Sequence, residues 1–147
     1  MADLRTLGPV GNTVNLLDST KYRIPVRTEN ENPIKDVVDS PVRGMGLINV
    51  ALAEVSAVDL GWQVWVTGAS WQAVLDNYAA IQTRLDLAVA YSTAGTGTVV
   101  QYQEQAGNQS SATVWVVKYG FFSELRALRS VALLRKVGQL TLHCEPQ

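Results

Sequence analysis

Cysteine and histidine are nearly missing from this sequence, and each scarcity removes a class of chemistry. Cys144 is the single cysteine, so no intrachain disulfide can form. His143 is the single histidine. A zinc site draws three or four ligands from Cys, His and carboxylates, and one adjacent His-Cys pair cannot supply it. Charge is also sparse, at 17% of residues against an average of about 25%. The net charge is −1 and no Lys/Arg block stands out, which leaves no electrostatic case for a DNA-binding face. No apolar run approaches the roughly 18 residues of a membrane-spanning helix. The start, MADLRTLGPVGNTVNLLDSTKY, lacks the cationic and then apolar regions of a signal peptide. The expectation is a soluble protein made in a reducing compartment.

At 147 residues the chain reads as one folding unit able to bury a core of its own. With so few charges, some of the surface is expected to be covered by other subunits, the alternative being an ordinary domain with Ser, Thr, Gln and Asn outside. The Arg-rich stretch LRALRSVALLRK holds Arg126, Arg129, Arg135 and Lys136 among Leu and Val, a pattern that fits a solvated face or subunit interface better than a phosphate track.

Residues 1–44 differ from the rest. Asp18-Ser19-Thr20 is a turn signal between Thr13–Leu17 and Tyr22–Val26, which predicts a hairpin. RTENENPIKDVVDSPVRG, with Pro33 and Pro41, predicts a long loop or extended arm, with disorder as the alternative. Deleting residues 1–44 is expected to leave a folded protein. Residues 45–147 read as a β-rich core. Within it, Ile48–Ala57 alternates as a strand, with a helix through its Ala-rich middle as the alternative, and Gly61–Val66 is a firmer strand stopped by Gly68. Ser70 caps a helix of about residues 70–87, with Trp71, Val74, Leu75, Tyr78, Ile81 and Leu85 on one face and Asp76, Asn77, Thr83 and Arg84 opposite. Thr98–Gln103 and Ser111–Tyr119 form a hairpin around Ala106-Gly107-Asn108, and Val137–Cys144 alternates as a closing strand.

Val-Trp-Val begins both VWVTGASWQAVL at Val64 and VWVVKYGFFSEL at Val114, an offset of 50 residues. A repeated unit over 64–89 and 114–139 would need a second amphipathic helix at Ser123–Lys136. Arg126, Arg129 and Lys136 fall among Leu125, Leu128 and Leu133 there rather than opposite them, so the shared letters read mostly as strand chemistry.

Catalytic and cofactor motifs fail on context. Gly95–Val100, GTGTVV, is glycine-rich, but a strand follows it where a phosphate loop needs a helix. His143 and Cys144 are strand neighbours and point to opposite faces. Glu54, Asp59, Asp76, Asp86, Glu104 and Glu124 are scattered, so an enzyme working by carboxylates alone is the remaining catalytic option. No catalytic residue, cofactor or metal is expected. Trp62 and Trp65 lie three apart on one strand, so one should enter the core and the other should be partly exposed. Exposed Trp suits an interface or a carbohydrate platform.

The order of elements resembles a known family. VNLLDSTKYRIPV, WQVWVTGAS, WQAVLDNYAAIQTRL and LTLHCEP supply an N-terminal hairpin, an apolar strand, one amphipathic helix and a strand ending Cys-Glu-Pro. Over about residues 12–146 this resembles the ring-forming domain of tailed-bacteriophage tail proteins, the distal tail protein and the tail tube protein. The chain lacks the additional galectin-like or carbohydrate-binding domain that many distal tail proteins carry. The resemblance implies an α+β, mainly β fold: a β-sandwich or split β-barrel with one amphipathic helix packed on it. It also implies a virion structural protein, made in the host cytoplasm, whose copies form a ring around the DNA channel, hexameric by analogy. Its partners would be itself and other tail proteins, with DNA only passing through and no membrane. The contacts expected to carry assembly are Trp65, Trp115, Tyr119 and Phe121, with an arm around Glu29, Pro33, Val38 and Pro41 on the neighbouring subunit. The channel wall should be polar and preferably acidic, so that DNA slides without sticking, with Thr98–Glu104 and Arg27–Asp39 as unassigned options. The alternative function is a monomeric carbohydrate- or small-ligand-binding β module.

Overall fold

The computed structural model describes residues 3–25, 30–42 and 46–146. The strands are β1 (Leu4–Gly8), β2 (Val14–Asn15), β3 (Tyr22–Arg23), β4 (Asn30–Val42), β5 (Gly46–Thr67), β6 (Gln101–Gln105), β7 (Thr113–Glu124) and β8 (Arg135–Pro146). One helix, α1 (Trp71–Ala94), joins β5 to β6. The strands form one antiparallel sheet in the order β2-β1-β6-β7-β8-β5-β3, with β4 paired to β5 off this path. The sheet is curled into a half-barrel and α1 packs on it. This is the α+β, mainly β class expected, in its split-barrel form.

Alternation builds the core. On β5, Val58, Trp62, Val64 and Val66 are buried; on β8, Leu140, Leu142 and Cys144 are buried. From α1, Val74, Ile81, Leu85 and Ala88 close over them, with Trp71 and Tyr78 partly buried at the margin. Trp62 of β5 meets Tyr102 of β6 across the inside of the curl, at 5.4 Å between ring centroids. Phe122 of β7 stacks on Tyr78 at 4.5 Å and also lies flat over Gly138, where an added Cβ would stand 2.3 Å from the ring. Glycine is therefore the residue that lets β8 and the Phe122 ring approach so closely.

Ser70 caps α1, its Oγ accepting from the Ala73 amide at 3.2 Å. The helix outlasts the expected end near residue 87 because Leu87 to Ala94 contains no breaker; it stops at Gly95, whose φ of 70° is left-handed. The predicted β6–β7 hairpin and the β8 strand are present, with β6 starting at Gln101 rather than Thr98. The two strand stretches predicted before Gly68 are one continuous strand of 22 residues.

Three expectations need correction. The Asp18 turn forms: the Lys21 and Tyr22 amides donate to its carbonyl, and its carboxylate accepts from the Thr20 amide and hydroxyl. The flanking segments do not pair with each other. β2 pairs with β1 and β3 pairs with β5, so residues 16–21 strap together the two ends of the sheet. Residues 30–42 form a strand, not a loop; Pro33 and Pro41 are tolerated because β4 is an edge strand with one partner. Residues 1–44 are not separable, since Leu7, Val14, Leu16 and Tyr22 are buried in the common core. The reading of the Val-Trp-Val stretches as strand chemistry agrees with the structure: among the described residues no second α-helix follows β7, only a 3-10 turn at Arg126–Leu128.

Candidate functional site

Among the described residues, three surfaces stand out as uncovered by the rest of the chain. The first is an arm. β4 and β5 pair from Asn30↔Gly61 out to Val42↔Gly46, whereas β8 pairs with β5 only from Val58 to Thr67. Residues 46–57 thus run on with β4 as their one strand partner among the described residues, about 40 Å of two-stranded ribbon at about 3.3 Å per residue. Register shifts fall between Ile34 and Lys35 and between Lys35 and Val37, where the ribbon leaves the sheet. Bulges of this kind bend and twist a strand pair, and here they aim the arm.

The second surface is the sheet face turned away from α1. A bulge between Val117 and Tyr119 shifts the alternation of β7 by one residue. Tyr119 and Phe121 therefore point outward, 46% and 60% exposed, while Gly120 and Phe122 face the helix. The two outward rings are 6.1 Å apart. Tyr119 also stacks on His143 at 4.7 Å with the planes 7° apart. The His143 Nδ1 donates to the Asp59 carboxylate at 2.5 Å, which fixes the ring that Tyr119 lies on. Gln63, Gln139 and Thr141 continue this face across β5 and β8, and Gln101 and Gln103 continue it on β6; Asp59 beside His143, and Arg23 and Arg135 over Trp65, give it charges of both signs.

The third surface is the tip between β7 and β8. Ser130 and Arg135 exchange backbone hydrogen bonds of 3.0 and 2.9 Å, closing a tight loop. Leu134 within it has φ of 49°, uncommon and strained for a branched residue. The Leu133 amide donates to Ser130 Oγ at 3.2 Å and Arg135 Nε donates to the Leu128 carbonyl at 3.1 Å. This rigid loop holds Leu128, Val131 and Leu133 in solvent, the last 68% exposed.

The residues proposed from sequence are distributed over these surfaces unevenly. Tyr119 and Phe121 come together on the outer face. Trp65 lies on the same face but half-buried, with the Arg135 and Arg23 guanidinium groups 4.7 and 5.6 Å from its ring centroid. Trp62, its neighbour three residues back, is in the core as alternation requires. Trp115 is on the helix side of the sheet, half-buried, and lines a 220 Å³ cleft with Glu31, Leu60 and Glu104 at the mouth of the curl. Pro33 is exposed on β4. Val38 and Pro41 lie on β4 in the arm, their side chains outside the described set, and Glu29 lies outside the described residues.

Among the described residues no three His, Cys, Asp or Glu side chains converge. Cys144 is fully buried opposite His143, and burial, with the Asp59 charge adding to it, pushes its thiol up to about 12. Such a thiol is not a nucleophile at neutral pH. A second cleft, of 270 Å³, lies between the strap and α1 beside Lys21, Tyr22, Asn77 and Arg84. Its polar groups are occupied structurally. Tyr22 donates to the Asn77 carbonyl at 2.8 Å, Asn77 Nδ2 donates to the Thr67 carbonyl at 2.8 Å, and Arg84 donates to Asn12 at 2.7 Å. The wheel put Asn77 and Arg84 on the solvent face; they tie the strap to the helix, a use that only tertiary contact reveals.

The sequence matches no protein-family model, and no curated protein is significantly similar to it.

Proposed function

We propose that the chain is a non-catalytic structural subunit of a ring or tube in a bacteriophage tail, acting by self-assembly around a DNA channel. The observation that carries this reading is the arm. A lone two-stranded ribbon is marginal in water, and fixing each backbone residue costs roughly 1–2 kcal/mol. An arm of this length is retained when another surface covers it. A neighbouring subunit supplies that surface and also covers the open edge of β4, which would otherwise invite uncontrolled strand pairing.

A monomeric glycan-binding module draws support from the exposed Tyr119–Phe121 pair, but none of the four tryptophans is exposed, which weakens it. Light scattering after size exclusion, with negative-stain microscopy of the same fractions, separates the two. Rings or tubes are expected from the full chain. A variant with residues 35–56 replaced by an Asn-Gly turn, joining Ile34 to its partner Ala57, should stay folded and monomeric. A full chain that remains a lone monomer at high concentration while its tryptophan fluorescence responds to glycans would transfer the case to the second reading.

A further inference from the structure

The arm and the β7–β8 tip are complementary in charge. Residues 30–57 contain Glu31, Asp36, Asp39 and Glu54 against Lys35 and Arg43, a net charge of −2. Residues 125–136 contain Arg126, Arg129, Arg135 and Lys136 and no acid, a net charge of +4. Three of those cations are engaged within the protomer. Arg129 pairs with Glu124 at 3.5 Å, Arg135 lies over Trp65, and Lys136 lies 4.0 Å from the Tyr78 ring centroid. Arg126 is exposed and, among the described residues, has no ion pair. It stands beside Leu128, Val131 and Leu133, which are exposed on a loop already fixed by hydrogen bonds. A rigid apolar platform with a free cation at its rim loses little entropy on docking, and the left-handed Leu134 is the kind of backbone strain found at functional loops.

We infer that the β7–β8 tip is the docking site for the β4–β5 arm of a second copy of this chain, a contact that rests on the self-assembly proposed above. The contact is heterologous. The arm and tip are different patches, so each copy offers one and receives the other, and the pattern propagates around a ring or along a tube. The opposite charges steer the encounter and set its orientation; the exposed apolar residues contribute the burial.

Charge reversal in the full chain tests the pairing. Arg126→Glu and Asp39→Lys should each weaken assembly at least tenfold at low salt, and the chain carrying both should regain most of it. The differences should shrink in 0.5 M salt, where the screening length falls to about 4–5 Å. As a second measurement, chains carrying Asp39→Cys are mixed with chains carrying Leu128→Cys under mild oxidation. The native Cys144 is buried, so a disulfide-linked heterodimer should form between the introduced cysteines. If the wild type assembles but neither reversal changes it and no crosslink appears, the arm docks elsewhere and only this inference fails. If the wild type stays monomeric and uncrosslinked, the assembly reading fails as well. If Arg126→Glu abolishes retention of duplex DNA and leaves assembly intact, the tip serves a polyanion and the inference is overturned.

Discussion

One strand, β5, passes through two environments. From Val58 to Thr67 it lies between β8 on one edge and β3 or β4 on the other, and four of its residues are in the core. From Gly46 to Ala57 its one strand partner among the described residues is β4. The backbone conformation is the same in both halves; what differs is what the side chains can be buried against. Hydrogen-bond ladders alone are a modest source of net stability, about 0.5–1.5 kcal/mol per bond, whereas a buried aliphatic side chain contributes about 1.5–3 kcal/mol. The first half should therefore govern folding and the second should govern what the folded chain meets.

Substitutions inside the half-barrel should break this division most severely. Leu142 on β8 is fully buried, its pairing partners are Leu60 and Gly120, and its side chain lies beneath Gly120. Leu142→Ala removes methyl groups that a sheet held on both edges cannot collapse to replace, so a loss of about 2–5 kcal/mol is expected. Chemical denaturation of the dilute protein checks it. A loss below about 1 kcal/mol would mean the half-barrel is looser than its burial implies.

Alkaline pH probes the same core through titration. Burial raises the Cys144 thiol from 9.0 to about 12, and burial raises the Tyr22 phenol from 10.0 to about 12. Both groups ionise more readily in the unfolded chain. Stability from keeping them neutral is complete below pH 9 and should drain away as pH climbs toward 12. A Tm series from pH 8 to 11.5 should fall through that window. Cys144→Val, close in volume and unable to ionise, should flatten the early part of the fall. An unchanged slope would show that Cys144 is solvated.

Much of the half-barrel was legible because its signals are local. Ser70 before an apolar stripe announced α1, and the alternation at Gly61–Val66 and Val137–Cys144 announced the core of β5 and β8. Tyr119 and Phe121 were named from sequence, but their outward aim depends on a bulge at β7, and period-two reasoning alone would have phased them with Val117. β1 was missed: Leu4–Gly8 is short, ends in Gly-Pro, and is stabilised by pairing with β6 about a hundred residues away. The strap was misread for a related reason. Its turn chemistry is local, but which strands the flanks join is decided by the core that Leu16 and Tyr22 enter. β4 was read as a loop because two prolines count against a strand, unless that strand is an edge. The arm is thus split: the alternation of Ile48–Ala57 announced its β5 half, while the prolines hid its β4 half.

The smallest expected effect gives the sharpest contrast, because it compares two valines on one strand. Val64→Ala deletes two methyl groups from a fully buried site and should cost roughly 2 kcal/mol. Val50→Ala, in the half paired only with Val38 of β4, should change the stability of the dilute chain by no more than about 0.5 kcal/mol. Raising the protein concentration should separate them further. Assembly stabilises whatever it covers by mass action. The wild type should therefore gain Tm with concentration, and Val50→Ala should gain less if the arm is buried against another copy. A Val50→Ala chain as destabilised as Val64→Ala when dilute would mean the arm already has a cover within its own protomer. The argument from an uncovered ribbon to a neighbouring subunit would then lose its premise.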